Sequence, residues 1–373
     1  MMPGRSRLPV VAAVGSSLLW VAGSPGADGL PEWIEAQGGA LHRSTNGKIV
    51  SIDLSRSWIG DIDVNRLAEL AGLETLSLAQ THVTDDALRV VAALPDLREL
   101  DLFYCEHITD AGASLLRRAA ALERLNVRGT KISDSGVQFL TELKSLRSLD
   151  IGIAEISDSS IELLEALPAL ETLAIGGNRV GEVGISSLRS LKQLRHLDLS
   201  GAQVTDSGIW AVTVTDLNLD EIAALTRLES LNLAAPSPEY VEAASAGVPR
   251  LRGAIRVTDF GARQLAKMKR LRRLNLSRSL LTSGGLRHLD ALVHLEELNL
   301  AHSAAIDDSV GEALAGLPAL RALDVSDTKF GDRSLGALNE HPSLTKLIVT
   351  DTLVTQQAVE VFLDAGRGRI VVR

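Results

Sequence analysis

Residues 73–96 read LETLSLAQTHVTDDALRVVAALPD, and this stretch contains the pattern that decides the fold. Leu76 and Leu78 alternate with a serine, which is the period of two expected of a strand with one buried face. Leu88 and Val91 then recur at helical spacing, and a proline follows that cannot donate the next backbone hydrogen bond. The stretch therefore predicts one short strand followed by one helix.

The same pattern returns about every 24 residues along the chain. After a looser copy at Ile49, copies begin at Leu73, Leu97, Leu122, Leu146, Leu170, Leu194, Leu228, Leu271, Leu295, Leu320 and Leu344. A period of this length predicts a solenoid, because each strand-helix turn can bury its apolar face only against its neighbours. We therefore expect an α/β solenoid of about twelve turns, a horseshoe or a right-handed superhelix, with a parallel sheet on its concave side.

A Thr-Asp or Ser-Asp pair separates the strand from the helix in many turns. The oxygens of these side chains accept hydrogen bonds from the free amides of a first helical turn, so we interpret each pair as a helix start and not as a ligand site. The pairs begin at Thr84, Thr109, Ser133, Ser157, Thr205 and Thr258.

The first 23 residues have the features of an export signal. Arg5 and Arg7 precede an apolar run over residues 8–22, which is shorter than the ~20 residues needed to span a bilayer. We expect cleavage after Gly23, export to the periplasm, the cell surface or the medium, and no membrane span in the mature chain. An uncleaved anchor is the alternative, since the two kinds of segment differ mainly in length.

The remaining chain divides into a cap, a repeat array and a second cap. We expect residues 24–48 to form an N-terminal cap with a short helix at 31–36 and a hairpin turn at Asn46-Gly47. Residues 49–355 hold the repeats. Residues 356–373 form a C-terminal cap that ends in a closing strand over 370–372.

Composition excludes several classes of function. The chain has 373 residues, a net charge of −9 and only 3% aromatic residues, so nucleic acid is an unfavourable partner. The single cysteine, Cys105, allows no internal disulfide and no cysteine zinc site, and its repeat position predicts a buried structural role. The eight histidines show no metal-binding spacing and no catalytic motif is present. We expect no enzyme activity, no metal and no cofactor, and a monomer that binds a partner protein.

Two rows of polar residues follow from the repeat. The second residue of each turn alternates between Glu and Arg from Glu74 to Arg321, and we expect a continuous ladder of ion pairs between neighbouring strands. The fifth residue is mostly Asp or Asn, from Ser77 to Asp324. No glycine-bearing acidic loop of the calcium-binding kind accompanies this row, so we expect hydrogen bonds from strand to strand.

Two turns break the period. The turn at residues 194–227 has 34 residues and the turn at 228–270 has 43, and the extra residues must leave the solenoid as loops. Because the turns are neighbours, we expect the loops to form one wall that carries Trp210 and Tyr240. Small residues follow the nearby strands, which predicts a pocket beside the wall. Its other polar lining would be His196, Arg272, Arg273 and His302; a tolerated surface loop is the alternative.

A second candidate surface follows the third strand. Phe103 and Tyr104 are adjacent aromatic residues, and Arg124 and Arg128 fall close to them in the repeat. Exposed Tyr and Arg are typical of binding hot spots, and nothing in the repeat requires aromatic residues there. Simple packing at the rim of the solenoid is the alternative interpretation.

The repeat resembles two known groups. The motif at residues 73–85, and its cysteine-containing version at 97–110, resemble the leucine-rich repeats of F-box proteins. Exported bacterial leucine-rich repeat proteins of unassigned function are also similar, and they often begin with a Gly-Gly hairpin like the one after Gln37. The resemblance covers the chain from about Pro31 onwards. It implies a right-handed horseshoe or superhelix that binds proteins through its concave sheet.

These observations lead to one functional hypothesis and two alternatives. The leading hypothesis is an exported, non-enzymatic protein-recognition scaffold that uses the concave sheet and the inserted loops. The F-box resemblance implies a substrate-recognition adaptor or effector acting with a ubiquitin ligase, although only a signal-like segment and a short cap precede Ile49. Binding of a cell-surface polymer is the other alternative.

Overall fold

The computed structural model describes residues 29–205, 208–237, 251–252, 254–366 and 368–373. Within these residues fourteen strands form one sheet, in which the first pair is antiparallel and the later pairs are parallel. Helices lie between most of the strands. The α/β solenoid predicted from the period is therefore confirmed, whereas the predicted signal segment at 1–23 and Tyr240 lie outside the described residues.

The strands are short, and most of them contain three residues. Their bounds are β1 Ala40–Arg43, β2 Ile49–Asp53, β3 Thr75–Ser77, β4 Glu99–Asp101, β5 Arg124–Asn126, β6 Ser148–Asp150, β7 Thr172–Ala174, β8 His196–Asp198, β9 Gln203–Thr205, β10 Gly208–Trp210, β11 Val214–Thr215, β12 Ser230–Asn232, β13 Leu251–Arg252, β14 Ile255–Arg256, β15 Arg273–Asn275, β16 Glu297–Asn299, β17 Ala322–Asp324, β18 Lys346–Ile348 and β19 Ile370–Val372. All except β9, β10, β11, β13 and β14 belong to the large sheet.

The helices are also short. Their bounds are α1 Leu30–Ala36, α2 Asp61–Val64, α3 Ala87–Val91, α4 Asp110–Leu116, α5 Asp134–Leu140, α6 Asp158–Leu163, α7 Glu182–Ser187, α8 Leu219–Ala223, α9 Asp259–Leu265, α10 Gly311–Ala315, α11 Asp332–Ala337 and α12 Gln356–Asp364. In the turn that begins at Leu271, a 3-10 helix at Gly285–Ala291 takes the place of the α-helix.

The core is a continuous stack of apolar side chains between the sheet and the helices. The fourth residue of each turn shows the principle: Leu149 and Leu298 are 0% and 2% exposed, and each strand leucine pairs in register with the next. Each turn buries its leucines only against the turns beside it, which is why a chain of this length needs no single globular core.

A carboxylate clamp joins successive turns where the helices begin. Both oxygens of Asp110 accept hydrogen bonds from Ser133, one from its backbone N–H at 2.7 Å and one from its hydroxyl at 2.6 Å. Ser133 then caps the next helix by accepting from Ser135. The same pair of hydrogen bonds joins Asp61 to Thr84, Asp85 to Thr109, Asp134 to Ser157, Asp216 to Thr258, Asp259 to Thr282 and Asp332 to Thr355.

The clamp explains a recurrent glycine in the first turn of the helices. A Cβ atom at Gly136 would collide with the carboxylate of Asp110, and one at Gly261 would collide with that of Asp216. In α6 the same place holds Ser160, whose hydroxyl donates to Asp134. Burial alone would raise the pKa of Asp134, but hydrogen bonds from Ser157 and Ser160 outweigh it and hold that pKa below its ordinary value.

The ninth residue of each turn lies at an inward corner. Cys105 is fully buried there and donates a hydrogen bond to the carbonyl of Leu78, and burial raises the pKa of its thiol. In other turns a threonine, such as Thr130, donates to a carbonyl of its own turn. Asn178 reaches both its own turn and the previous one. The corner residues therefore satisfy buried carbonyls, as the sequence indicated for Cys105.

Both ends of the stack carry the expected elements. The hairpin of β1 and β2 turns around Gly47, and Trp33 of α1 packs against the first turn with Arg66 5.2 Å from its ring centre. At the other end β19 adds to β18 in parallel. Arg369 lies 4.2 Å from the ring of Phe362, so apolar surface at the last turn is covered.

His341 belongs to the same C-terminal region and is 6% exposed. One ring nitrogen bonds the carbonyl of Leu317 at 3.0 Å, and the other accepts the backbone N–H groups of Ser343 and Leu344. Arg369 donates to the carbonyl of His341. This arrangement requires a neutral imidazole, and burial lowers the pKa of His341 accordingly.

The two inserted segments meet, as expected from their adjacency. β9 and β10 form an antiparallel pair, and β10 pairs in parallel with β13 from the following turn. The Thr-Asp pair at Thr205 was expected to start a helix, and that prediction is wrong. Thr205 ends β9 and donates to the carbonyl of Gly208, whereas the helix of this turn, α8, begins only at Leu219.

Candidate functional site

The third and fifth residues of each turn lie on the same face of the sheet, opposite to the buried fourth residue. We call the third residues row three. From the first turn to the twelfth they are Ser51, Thr75, Glu99, Arg124, Ser148, Thr172, His196, Ser230, Arg273, Glu297, Ala322 and Lys346. Charged residues therefore lie in both halves of the row, with small hydroxyl residues and one histidine between them.

In the N-terminal half the charges of row three are paired. Arg124 donates to Glu99 through two nitrogens, at 3.0 and 2.8 Å. Arg128 lies 3.5 Å from Asp150, whose pKa is raised by burial, although Arg128 acts against that shift. Both arginines of the predicted aromatic patch are therefore held by acidic neighbours.

Phe103 and Tyr104 form their own small cluster. Their rings meet edge to face with centroids 4.6 Å apart. Tyr104 has a φ of 52° and its ring lies over Gly129, where a Cβ atom would come within 2.9 Å. It remains 36% exposed. The two aromatic residues are thus partly used for packing against the neighbouring turn, and Tyr104 keeps an exposed surface.

The Glu/Arg row at the second position forms ion pairs in segments and not in one continuous ladder. Arg98 bonds Glu123 at 2.6 Å, and Arg147 contacts Glu123 and Glu171 at 4.0 and 3.0 Å. Further along, Arg195 bonds Glu229 and Arg272 bonds Glu296, each at 2.6 Å. In the described part of the chain no ion pair joins these segments.

The fifth-position row also differs from expectation. Its side-chain oxygens mainly accept the backbone N–H two residues later in the same turn, as Asn126 does from Arg128 and Asp198 from Ser200. Within the described residues, bonds between two members of the row run from Ser77 to Asp101 and from Asn232 to Asp198, and Asn232 also donates to Ser200 of the previous turn. The row therefore closes the end of each strand, and strand-to-strand bonding is secondary.

A groove of about 330 Å³ lies on the concave face over the C-terminal half of the sheet. Row three contributes Ser230, Arg273, Glu297, Ala322 and Lys346, and the fifth-position row contributes Asn232, Asn275, Asn299, Asp324 and Ile348. The groove contains two cations, two carboxylates and three amides above buried leucines. It is the candidate functional site.

Neither cation of this groove, Arg273 or Lys346, forms an ion pair with a described residue, and Arg273 lies beside the amides at its floor. Its guanidinium lies 3.5 Å from Nδ1 of His196, and no acidic oxygen of the described residues lies within the 4.0 Å of an ion pair. Burial, followed by the charge of Arg273, lowers the pKa of His196, so the ring is neutral near pH 7. Glu297 faces Arg273 on the next strand without bonding to it.

The amides of Asn275 and Asn299 are oriented toward the groove. Each accepts a backbone N–H through its side-chain oxygen, at 3.0 and 2.8 Å from Ser277 and Ala301. That bond fixes the amide plane and leaves the NH₂ group without a partner among the described residues. Because neighbouring strands lie ~4.8 Å apart, two hydrogen-bond donors stand side by side at the floor of the groove.

The structure brings together only part of the predicted pocket. His196 and Arg273 meet, but Arg272 is bound to Glu296 in the second-position row. His302 bonds Asp327 at 2.9 Å outside the groove lining.

Trp210 contacts residues of its own turn and of the turn before it. Its ring lies under Arg179, 4.4 Å from the guanidinium, and its N–H donates to Thr205. Gly176, one of the small residues expected beside the wall, is required by the packing of the next turn, since a Cβ there would collide with the carbonyl of Ser200. The groove lies C-terminal to the place predicted beside the wall.

Three residues of row three, Arg124, His196 and Arg273, were among the residues predicted from the sequence, but Glu297 and Lys346 of the same row were not. The residues of this row vary in type and carry no regular alternation, unlike the second-position row. The strand register does place a glutamate beside an arginine at two positions of this row, Arg124 and Arg273. Only side-chain geometry distinguishes them.

No group of three or more His, Cys, Asp or Glu side chains in the described part is placed to hold a metal ion. Among the described helices, none combines the length and the apolar character that crossing a membrane requires.

Comparisons with known proteins identify the repeats. Two family models for leucine-rich repeats match, one over residues 269–330 and the other over 93–116, 121–140 and 191–211. A search of curated protein sequences finds no significant match. Among solved structures, an internalin (inlF) from Listeria monocytogenes is 18% identical, with 93% of each chain covered and a TM-score of 0.55.

Two further structures are more distant. Internalin C2 from Listeria monocytogenes is 18% identical over 77% of this chain and 91% of that chain, with a TM-score of 0.39. The chain in the TLR13–ssRNA13 complex is 17% identical over 86% of this chain and 48% of that chain, with a TM-score of 0.47. The family-model matches and the similarity to inlF, together with the sheet of stacked parallel strands, show the leucine-rich repeat fold.

Proposed function

We propose that this leucine-rich repeat protein is an exported, non-enzymatic scaffold that binds a partner protein in the C-terminal groove of its concave sheet. Folds of this class present extended concave surfaces and generally act in protein interactions. Export rests on the signal-like residues 1–23, with their two arginines and short apolar run. The inserted segments and the exposed edge of Tyr104 are secondary contact surfaces in this proposal.

The observation that carries the proposal is the difference in pairing across row three. Arg124 is held by Glu99 in the N-terminal half, whereas Arg273 forms no ion pair and the NH₂ groups of Asn275 and Asn299 donate to no described residue. Polar groups that are fixed in place and lack partners favour binding from outside, because their bonding capacity is not used within the fold. The groove also has the concave form expected of a binding site.

The experiment blocks the groove without removing any of its polar groups. Ala322 lies in row three inside the groove, and Ser148 occupies the same row outside it. Ala322→Trp is expected to abolish capture of the partner that copurifies with the wild-type protein, whereas Ser148→Trp retains it. Amide exchange or circular dichroism confirms that both variants are folded. Equal capture by both variants would reject the concave groove as the binding surface.

A separate measurement tests export. N-terminal sequencing of the protein from an exported fraction is expected to give a start near Ser24. Recovery only from the cytoplasm, with residues 1–23 retained, would contradict export and would favour an intracellular adaptor.

A further inference from the structure

We infer that Arg273 and the amides beside it form a docking point for a single carboxylate, supplied by an acidic side chain in an extended segment of the partner protein. The inference rests on the proposed function, because it names the chemistry that the same groove recognises. It adds a specific ligand class and a specific residue to a surface otherwise defined only by its shape.

The donors converge on one spot. Arg273 and Asn275 are two residues apart on β15, so their side chains leave the same face of the strand. Asn299 occupies the matching place on β16, one strand away. A guanidinium and two oriented amide groups thus offer several N–H donors, which is what a carboxylate oxygen pair requires. The nearest acidic groups of the groove are Glu297 on β16 and Asp324 on β17, and neither is bonded to these donors.

The position of Arg273 shows that its charge is available. It contacts the neutral ring of His196 across Ser230 and not the carboxylate of Glu297, although Glu297 is its direct neighbour. The corresponding pair at Arg124 and Glu99 is closed by two hydrogen bonds. An incoming carboxylate can therefore bind Arg273 without first breaking an internal ion pair, which would reduce its affinity.

The charges around the groove select a carboxylate over a phosphate. Glu297 and Asp324 line the same groove as Arg273 and Lys346, so its cations and anions are equal in number. A group with one negative charge gains the bonds of Arg273 and the amides at a small repulsive cost. A phosphate near neutral pH carries about −1.5 to −2 charges and is repelled more strongly by the two carboxylates.

A peptide titration tests the inference directly. Acetyl-Gly-Glu-Gly-amide is added to the purified full-length protein, and the side-chain N–H signals of Arg273, Asn275 and Asn299 are followed by NMR. Acetyl-Gly-Gln-Gly-amide is the neutral control of the same shape, and inorganic phosphate is the third ligand. We expect shifts that saturate with the Glu peptide, little change with the Gln peptide, and weaker binding of phosphate.

The matched variants are Arg273→Gln and Arg124→Gln, which change the same position of the repeat in the two halves. Arg273→Gln is expected to weaken binding of the Glu peptide by at least about tenfold, the usual range for loss of a charge-assisted hydrogen bond. Arg124→Gln leaves the affinity unchanged. Glu297→Gln strengthens it, because a repulsive carboxylate is removed.

His196 gives an independent signal. Its ring faces Arg273, Arg195, Glu171 and Glu229, and the positive charge of Arg273 acts against its protonation. A carboxylate bound to Arg273 offsets that charge, so the pKa of His196 is expected to rise when the Glu peptide binds and to stay constant with the Gln peptide.

Several outcomes would overturn the inference. They are equal binding of the Gln peptide, tighter binding of phosphate, and equal effects of the Arg273 and Arg124 substitutions. These outcomes are independent of the proposed function. If Ala322→Trp blocks the partner but Arg273→Gln does not, the groove remains the binding surface and only the carboxylate site is rejected.

Discussion

Arg124 and Arg273 occupy the same position of the repeat in the two halves of the sheet, and each has a glutamate beside it on a neighbouring strand. In the N-terminal half the pair closes, and Arg124 bonds Glu99 at 2.8 Å. In the C-terminal half Arg273 turns to a neutral histidine and the groove keeps its unpaired donors. The same Arg-Glu neighbour pair of the repeat is therefore closed at one place in the sheet and open at another.

The largest expected effect is on the free energy of unfolding, when a buried leucine is shortened in either half of the sheet. Leu149 and Leu298 hold the same buried position beneath row three in the N-terminal and C-terminal halves. Leu149→Ala and Leu298→Ala should each lower the free energy of unfolding by about 2–5 kcal/mol, because each removes buried methyl groups and leaves a cavity. Urea unfolding measures both losses.

A large difference between these two variants would break the comparison. It would mean that the halves also differ in core packing, and that the open groove reflects a looser C-terminal half. Similar losses would confine the difference to the exposed side chains.

Much of the fold could be predicted because its determinants are local. The strand alternation of Leu76 and Leu78, the turn at Gly47 and the closing strand at Ile370–Val372 are all present. Thr205 misled because the same start signal is used in a different way. It precedes a glycine and a strand whose partner, Leu251–Arg252, comes from the next turn. Pairing at that distance overrides a local helix signal.

The candidate site was only partly predictable. The sequence placed His196 and Arg273 near each other, since their strands lie on either side of β12. It could not show which arginines are paired, because four of the five arginines of the second-position row have an acid on both sides and a rotamer decides between them. The role of Asp110 as a clamp to the next turn could not be predicted from local sequence, because its hydrogen-bond partner lies 23 positions away.

A smaller effect is a loss of stability at low pH near His341, at the C-terminal end of the solenoid. His341 accepts two backbone N–H groups through one ring nitrogen, and burial lowers its pKa. The unfolded chain therefore takes up the proton first as pH falls. The stability that the neutral ring contributes is present above the unfolded value of about 6.5 and is lost as pH falls from there towards the folded pKa.

Native-state hydrogen exchange at pH 7.5 and 5.5 measures this loss. Leu347 in the last turn should lose protection at the lower pH, by at most about 1.4 kcal/mol, because one proton taken up by the unfolded ring contributes no more than that over this pH interval. Leu100 in the N-terminal half is unchanged. His341→Gln should remove most of the difference between the two pH values at Leu347; His196, whose pKa is also lowered, contributes in the same direction. Equal losses at both leucines would show a response of the whole solenoid.

The smallest expected effect is the difference in stability between variants of Arg124 and Arg273. Arg124→Gln removes two hydrogen bonds to Glu99, and because Arg124 is about half exposed, with 49% of its side-chain surface open to solvent, the loss of stability should not exceed about 1 kcal/mol. Arg273→Gln should leave stability unchanged, since no ion pair is broken. Urea midpoints at low salt measure both, and added salt should reduce only the effect at Arg124. A destabilisation at Arg273 equal to that at Arg124 would mean that Arg273 supports the fold, and the distinction between a paired and an available arginine would be lost.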